Sequence, residues 1–313
     1  DNLVSGFRYG DCQEDDARMT MTVVAAAQSA GAVCANRVQA EARLRDTTGI
    51  RGARVRDVHG GAVFEVRARC VVNSAGPWAR SLLGPDAPRV KLVKGTHLLL
   101  PAIQGCTEAF LLTARDGRVF LVIPWYGRTL VGTTESEVQS PDDAQPTDEE
   151  THYLIDGVRR GLPGLGWTEA AVIARYSGVR TLQSEDVASL SAVSREFDIA
   201  EPEAGLVLPI GGKYTTSRCD AAQIVDRVQR ALSQKKTRSL TGLKRLPGAP
   251  REDFDIWLAL AAKRLTAAGL DGVAASFVAH RQGTRIEDVL TLIAGDPTVA
   301  ARVHEDAPGD RLL

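Results

Sequence analysis

The sequence predicts a mixed fold of the α+β and α/β classes, with a mixed, mainly antiparallel sheet in the middle and a helical C-terminal domain. Three observations lead to this fold class. Residues 70–78 (CVVNSAGPW) form an apolar strand that breaks into a small-residue turn and a Pro-initiated helix, the α/β pattern for a ligand at a strand's carboxyl end. Residues 91–134 hold apolar and alternating runs separated by turn residues, which are typical of strands. Residues 251–313 carry no strand pattern.

The first part of the chain predicts one helix and then strands. Residues 15–30 are rich in alanine, have acidic residues in the first turn and stop at Gly31, which favours a helix. The stretch 31–44 contains the start of a strand. Two more strands are predicted at 52–58 and 62–68, and the HGG between them is typical of a hairpin.

The β-rich middle continues with further strands and two helices. Residues 135–150 read as a polar loop that leads into a helix at 147–160, where Thr147 and Glu150 have the spacing of a capping box. An amphipathic helix is predicted at 220–232. The remaining predicted elements are strands, and they lie at 91–101, 109–114, 118–126, 129–134, 171–180, 195–201 and 205–212.

The C-terminal part changes character after a basic, Gly- and Pro-bearing linker that ends at residue 250. Three short helices are predicted at 253–269, 271–283 and 284–296, because each is apolar, alanine-rich or amphipathic and ends near a glycine. We therefore expect a separate small helical domain.

Composition excludes several function classes. The chain has 313 residues, enough for two or three domains, with 44% hydrophobic residues, 25% charged residues and a net charge of −1. No basic field indicates nucleic acid or a membrane surface, and no apolar run is long enough to span a bilayer. The five cysteines are scattered without metal-ligand spacing. We therefore expect reduced thiols in a cytoplasmic setting and no metal site.

The stretch GGKYTTSR predicts an anion site just before the helix at 220–232. Gly211 and Gly212 let the backbone approach a ligand closely, and Lys213 and Arg218 add positive charge. A P-loop is excluded because Tyr214, not Ser or Thr, follows the lysine. The structural alternative is a glycine turn followed by a capped helix.

Three further stretches indicate a functional site only weakly when each is taken alone. Residues 73–76 form a strand-to-helix turn. Lys94 and His97 lie three apart at the head of a strand, so they fall on opposite faces if the strand is regular. Arg180 follows a glycine turn, and its guanidinium fork suits phosphate or carboxylate. Each of these residues also has an ordinary structural explanation.

The order of the motifs is far more specific than any one of them. The colinear series reads GFRYGDCQEDDARM, VVNSAGPWA, VKLVKGTHLLLP, DGRVFLVIPWYGRTLVGTTE, YSGVRTL, SREFDI and IGGKYTTSRCDAA. This series closely resembles the FAD-dependent glycerol-3-phosphate dehydrogenase family, from residue 1 into the helical tail. The resemblance implies a D-amino-acid-oxidase-like, FAD-linked oxidoreductase fold.

One motif of that family is absent from the sequence. The family opens with a strand–GxGxxG–helix unit for the FAD pyrophosphate, and no GxGxxG occurs between Asp1 and Leu313. The family's last helices, rich in Arg and Trp, are not seen either. We therefore expect a truncated internal fragment that is inactive alone and holds no FAD, which belongs to the intact enzyme. The resemblance implies five segments: 1–86, the remainder of the FAD-binding domain; 87–200, a β-rich substrate domain; 201–236, the returning strand and helix; 237–250, a linker; and 251–313, the truncated helical domain.

For the intact enzyme the resemblance implies oxidation of sn-glycerol 3-phosphate to dihydroxyacetone phosphate, with hydride transfer to FAD. It implies catalytic roles for His97 as the base and for Arg180 and Lys213. Substrate contacts are implied for Arg180, Arg195, Lys213 and Thr215. Flavin contacts are implied for Asn73, Ser74, Ala75, Gly76, Gly211, Gly212, Lys213, Tyr214 and Thr215.

The sequence departs from the family pattern at a few positions. Thr181 stands where the family usually has Pro, which loosens the turn beside Arg180. Tyr214 and Ser217 stand where the family usually has Leu and Tyr. Neither departure removes a charged group.

The implied partners are glycerol 3-phosphate and a quinone or oxygen as electron acceptor, with peripheral contact at the cytoplasmic membrane face, a homodimer, and no nucleic acid. Two other functions stay open at this point. One is an FAD-dependent oxidase of another small anionic substrate, such as an amine or a 2-hydroxy acid. The other is a non-catalytic module that binds glycerol phosphate without flavin.

Overall fold

The computed structural model describes residues 6–83, 90–183 and 197–301. The chain divides by contact into two compact units. The larger unit is Arg37–Arg238, and the smaller one joins Asp1–Asn36 to Ser239–Leu313. The five-segment division derived from the family resemblance remains a prediction.

The described strands and helices follow the order expected from the sequence. The strands are β1 Val38–Asp46, β2 Gly49–Asp57, β3 Val63–Arg67, β4 Val71–Val72, β5 Val90–Pro101, β6 Phe110–Thr113, β7 Val119–Trp125, β8 Arg128–Gly132, β9 Ser136–Val138, β10 Ala174–Gln183, β11 Phe197–Glu203 and β12 Leu206–Gly211. The α-helices are α1 Asp16–Ser29, α2 Ala79–Leu83, α3 Asp148–Gly161, α4 Ser217–Ala231, α5 Phe254–Ala267, α6 Gly272–Gln282 and α7 Ile286–Gly295.

The largest sheet has the order β10-β5-β8-β7-β6, and β9 also pairs with β5. All of its pairings are antiparallel, as the sequence predicts for the middle of the chain. Helix α3 packs on one face of this sheet, and Leu98, Phe120 and Leu154 belong to the core between them. Thr147 caps α3, and the predicted capping box with Glu150 is confirmed. The long central strand β5 therefore has one face against α3 and a second face away from this core.

Two three-stranded sheets complete the larger unit. Strands β1, β2 and β3 form an antiparallel meander, which confirms the predicted hairpin between β2 and β3. The other sheet has the order β11-β12-β4, in which β12 and β4 are parallel. Ile50, Leu83, Leu206 and Leu208 form the buried cluster beside it. The mixture of an antiparallel sheet with a parallel pair confirms the predicted fold class.

The smaller unit is helical in its described residues. Leu265, Ala275, Val278, Ile286 and Ile293 belong to a core shared by α5, α6 and α7. Asp253 and Asp271 cap α5 and α6 with their carboxylates, so the helix starts expected from the sequence are correct. Helix α1 belongs to the same unit, and Arg18 donates to the carbonyl of Arg281 at 2.6 Å.

Two details differ from the sequence-based expectation. The predicted polar loop at 135–150 contains the short strand β9, because Ser136 and Val138 alternate with an exposed glutamate and pair with Lys94 and Leu92 of β5. The apolar stripe of α4 is not a packed core face: none of its residues is buried, and Val225 is 52% exposed.

Candidate active site

The register of β5 and β10 brings the predicted histidine and arginine to one face of the largest sheet. His97 pairs with Tyr176, Gly95 with Gly178, and Val93 with Arg180. Because side chains alternate along a strand and directly paired residues share a face, these positions all lie on the face away from α3. Lys94 lies on the other face, as its spacing from His97 predicts.

The guanidinium of Arg180 lies over Gly95. A Cβ built on Gly95 would be 2.6 Å from Nη2 of Arg180 and closer still to Oγ1 of Thr133. Nη1 is 3.5 Å from the Glu135 carboxylate, and Nη2 is 3.4 Å from Oγ1 of Thr133. The side chain of Arg180 keeps 32% of its surface exposed while Glu135 keeps 12%. Thr133 and Glu135 therefore contact the guanidinium, and the Arg180 side chain keeps about a third of its surface exposed.

His97 is fixed by aromatic stacking and by a glycine. Its ring stacks on Tyr176 with centroids 5.2 Å apart and an interplanar angle of 12°, a geometry that favours offset stacking. A Cβ on Gly132 would lie 2.9 Å from Nε2 of His97, so the imidazole needs glycine there. The Nδ1 atom is buried. The half-buried ring is thus held in one orientation on the same face as Arg180.

The opposite face of β5 carries a buried polar cluster. Lys94 forms an ion pair with Glu150 at 3.0 Å and donates to the carbonyl of Gln145 at 2.8 Å. Both charged residues are buried. Burial would raise the pKa of the Glu150 carboxyl, but hydrogen bonds from the Thr147 backbone and from the Thr96 and Lys94 side chains together hold that pKa below its ordinary value of 4.5. Glu150 is therefore kept in its charged carboxylate form inside the protein.

The carboxyl ends of the parallel strands β4 and β12 form the second part of the site. Asn73 follows β4 and is buried, and its side chain bonds the backbone of Ala75 and Ala79 at 3.2 Å each. This amide therefore stabilises the turn, while Ser74 and Ala75 are exposed. Gly76 has φ = 53°, and an added Cβ there would meet nothing within 4 Å. The turn presents backbone to open space at the edge where ligands bind in α/β sheets.

The GGKYTTSR stretch lies directly after β12. Gly211 and Gly212 have φ of 67° and 90°, values that favour glycine. Lys213, Tyr214 and Thr215 follow at an exposed 3-10 turn that leads into α4. In the first turn of α4, Asp220 accepts a hydrogen bond of 2.7 Å from Thr216. A carboxylate thus already stands at this helix start, and the predicted cations Lys213 and Arg218 are both exposed.

Contacts within the larger unit join these two parts of the site. Strand β10, which carries Arg180, contacts both β12 and the 3-10 turn Gly76–Trp78. The strand that carries Arg180 therefore adjoins β12, which ends at Gly211, and the 3-10 turn that begins at Gly76. Arg195, the remaining predicted substrate contact, lies outside the described residues.

Sequence reasoning missed four residues that shape the site. Tyr176 could have been found, since it is four residues before Arg180 and a strand places both on one face. Thr133 and Glu135 carry the same alternation, but only tertiary pairing places them beside the guanidinium. Glu150 was recognised for its capping spacing alone, because its contacts with β5 cross more than 50 residues.

With this geometry established, comparison with known proteins identifies the family. The profile of FAD dependent oxidoreductases (DAO) matches residues 1–211. The chain belongs to this family. FAD-dependent oxidoreductase membership agrees with the predicted fold and confirms FAD as the cofactor expected from the sequence.

Named relatives show which FAD-dependent oxidoreductases the chain resembles. The chain is 34% identical, over 98% of its length, to glycerol-3-phosphate dehydrogenase 2 of Mycobacterium bovis, of which it covers 53%. It is 32% identical to the aerobic glycerol-3-phosphate dehydrogenase of Staphylococcus haemolyticus, over 75% of this chain and 44% of that protein. The chain thus spans about half the length of the mycobacterial relative. The resemblance to glycerol-3-phosphate dehydrogenases predicted from the motifs is confirmed.

A solved structure gives the same result. The glycerol-3-phosphate dehydrogenase of Bacillus halodurans, solved with FAD, superposes with a TM-score of 0.81 at 27% identity and covers 91% of this chain and 57% of its own. The L-proline dehydrogenase of P. horikoshii shares the fold alone, with a TM-score of 0.52 at 14% identity over 70% of this chain and 56% of its own.

The residues at the ends of β4 and β12 fit a flavin. Positive φ values at Gly76, Gly211 and Gly212 leave backbone accessible, and exposed Lys213 and Thr215 offer donors beside it. Among the residues that the structure describes, no cluster of His, Cys, Asp or Glu could hold a metal ion. Within the same residues, no helix combines the length and apolar character needed to cross a membrane.

Proposed function

We propose that the protein oxidises sn-glycerol 3-phosphate to dihydroxyacetone phosphate with FAD as its redox cofactor. The observation that carries this proposal is the face of β5 and β10, where a one-third-exposed guanidinium and a fixed imidazole stand together. The named relatives support it, because the mycobacterial and staphylococcal proteins are both glycerol-3-phosphate dehydrogenases.

The spacing on this face suits a short phosphate ester. The Arg180 guanidinium lies over Gly95, and His97 follows two residues along β5, a separation of about 7 Å in a strand. Arg180 can bind the phosphate through its fork while the glycerol carbons extend toward His97. An anion that binds Arg180 would have to compete with the Glu135 carboxylate for the guanidinium. This competition favours a phosphate dianion over a ligand that binds the guanidinium more weakly.

The chemistry assigned to this chain is proton transfer and orientation. His97 takes the proton of the C2 hydroxyl, at Nε2 because Nδ1 is buried. Stacking on Tyr176 keeps the ring in position for this step. Bound FAD supplies the acceptor for the hydride that leaves C2. Lys213, with the backbone at Gly211 and Gly212, would hold the flavin edge and stabilise negative charge there, and Thr215 would add a substrate contact.

Several features of the intact enzyme belong to the same proposal. They are transfer of electrons to a quinone or to oxygen, peripheral contact with the cytoplasmic membrane face, and a homodimer. Their support is the resemblance of the chain to the glycerol-3-phosphate dehydrogenases.

The test compares the chain alone with a form lengthened to the span of the mycobacterial relative. We would record the visible flavin spectrum of each form and its glycerol-3-phosphate-dependent dye reduction. We expect the lengthened form to be yellow and active. A lengthened form that holds no flavin, or that holds flavin and ignores glycerol 3-phosphate, would contradict the proposal. Oxidation of a phosphate-free substrate at an equal rate would assign the scaffold to a different reaction.

A further inference from the structure

A buried carboxylate, Glu150, lies on the face of β5 opposite Arg180 and His97 and contacts β5 and β9 directly. Glu150 accepts hydrogen bonds from Thr96 of β5 at 2.8 Å and from Ser136 of β9 at 2.9 Å. Thr96 also bonds Ser177 of β10 at 2.6 Å. Together with the Lys94 ion pair, these bonds tie the start of α3 to β5, β9 and, through Thr96, β10.

The four residues 133–136 connect this carboxylate to Arg180. They alternate in direction: Thr133 and Glu135 contact the Arg180 guanidinium. Thr134 and Ser136 donate to the same oxygen, Oε1 of Glu150, at 3.3 Å and 2.9 Å. The segment is also joined to β5, because the backbone N–H of Thr96 donates to Oγ1 of Thr134 at 3.0 Å. Every second side chain therefore faces the cation, and the others are anchored on Glu150.

We infer that Glu150 is a positioning residue for the anion site at Arg180, acting through the segment 133–136. The inference rests on the proposed function only in taking Arg180 as the phosphate-binding group. Glu150 touches neither substrate nor cofactor. It fixes where Thr133 and Glu135 stand, and these two hold the fork of Arg180 over Gly95.

The physical reason is that phosphate binds more weakly when the guanidinium of Arg180 is displaced. Arg180 has a long side chain with several rotamers, so its geometry depends on the groups that bind it on the protein side. Thr133 and Glu135 lie just after β8, where a chain without anchors would be free to shift. Glu150 is rigid, since it is buried and its oxygens accept bonds from Thr147, Thr96 and Ser136. A rigid acceptor behind the segment pre-organises the cation in front of it.

The experiment measures the affinity for inorganic phosphate by isothermal titration calorimetry on the full chain. The first variant, Lys94→Met with Glu150→Leu, removes the buried pair together and so leaves no buried charge without a partner. The second variant, Lys94→Met with Glu150→Gln, keeps one oxygen that can accept from Thr134 and Ser136. Glu149→Gln is the matched control, since Glu149 is the exposed neighbour on the same helix turn.

We expect the leucine variant to bind phosphate about tenfold more weakly. The glutamine variant and the Glu149 control should bind close to the wild-type value. A third variant, Thr134→Val with Ser136→Ala, keeps the Lys94–Glu150 pair and should weaken phosphate binding by a similar factor, which covers the case in which the leucine variant fails to fold.

Other outcomes overturn the inference in distinguishable ways. Wild-type affinity in the leucine variant and in the Thr134/Ser136 variant would show that Glu150 does not position the site. Equal weakening in the leucine and glutamine variants would show that the acceptor oxygen is not the link. An Arg180→Met variant distinguishes failure of this inference from failure of the proposed function. If Arg180→Met binds phosphate as tightly as the wild type, or if the wild type binds no phosphate, Arg180 is not the phosphate-binding group and the proposed function is contradicted.

Discussion

The two faces of β5 use polar residues in opposite ways, although the residues alternate along one strand. On the α3 face, Lys94 and Thr96 are buried and bond internal partners. On the other face, the guanidinium of Arg180 lies over Gly95 on the same side of the sheet as His97, and the Arg180 side chain keeps a third of its surface exposed. The polar groups of the first face, which we call the closed face, hold strands together, and the second face, which we call the open face, carries the partly exposed side chains of Arg180 and His97. The difference shows that a charged residue indicates function through its surroundings rather than through its type.

The largest expected effect concerns the histidine on the open face. His97→Gln in the flavin-loaded enzyme should lower kcat about a thousandfold, because the C2 hydroxyl loses its base. Stopped-flow measurement of flavin reduction by glycerol 3-phosphate checks this. His152→Gln serves as the control, since His152 is exposed and pairs with Glu169. Equal rates in the two variants would remove His97 from the catalytic group.

The next effect concerns stability on the closed face. Lys94→Met leaves the buried Glu150 carboxylate without its cation, so we expect the free energy of unfolding to fall by about 3 kcal/mol. Combining Lys94→Met with Glu150→Leu should recover much of that loss. Urea unfolding followed by tryptophan fluorescence measures both values. If Lys94→Met alone were as stable as the wild type, the Lys94–Glu150 ion pair would not contribute to the stability of the closed face.

A smaller effect tests the space over Gly95. Gly95→Ala places a Cβ against Oγ1 of Thr133 and 2.6 Å from Nη2 of Arg180, so the Thr133 hydroxyl and the flexible guanidinium must both move away. We expect phosphate affinity to fall about tenfold with little change in unfolding free energy. Gly178→Ala is the control, because it faces Gly95 across the strand pair and its added Cβ meets nothing within 4 Å. Calorimetric titration of both variants that gave the same affinity would contradict the placement of Arg180.

The smallest expected effect is a pH dependence. The pKa of Glu150 is lowered in the folded protein from 4.5, so the stability that its charge contributes is fully present above pH 4.5. That stability is lost as the pH falls through the lowered value. Relative to the Lys94→Met, Glu150→Leu variant, the wild type should lose more stability on acidification to about pH 3.5, by no more than about 1.4 kcal/mol. Parallel urea titrations at the two pH values test this, and identical losses would contradict it.

More of the fold and of the open face than of the closed face could be predicted from the sequence. The capping box of Thr147 and Glu150 was predictable, because its spacing is local. The separation of Lys94 and His97 onto opposite faces follows from strand geometry alone. The role of Glu150 inside the sheet was not predictable, since its bonds to Thr96 and Thr134 exist only once α3 packs on β5. Strand β9 was missed for the same reason: its three residues form no apolar run, and pairing with β5 determines it.

The central claim is that Arg180 selects a phosphate-bearing substrate for oxidation. The most direct test measures kcat/KM of the flavin-loaded enzyme for sn-glycerol 3-phosphate and for glycerol, in the wild type, in Arg180→Met and in Arg175→Met. Arg175 is the control because it lies on the same strand but pairs with Asp148 on the α3 face. We expect the preference for the phosphorylated substrate to fall about a hundredfold in Arg180→Met and to persist in Arg175→Met. An unchanged preference in Arg180→Met would contradict the account.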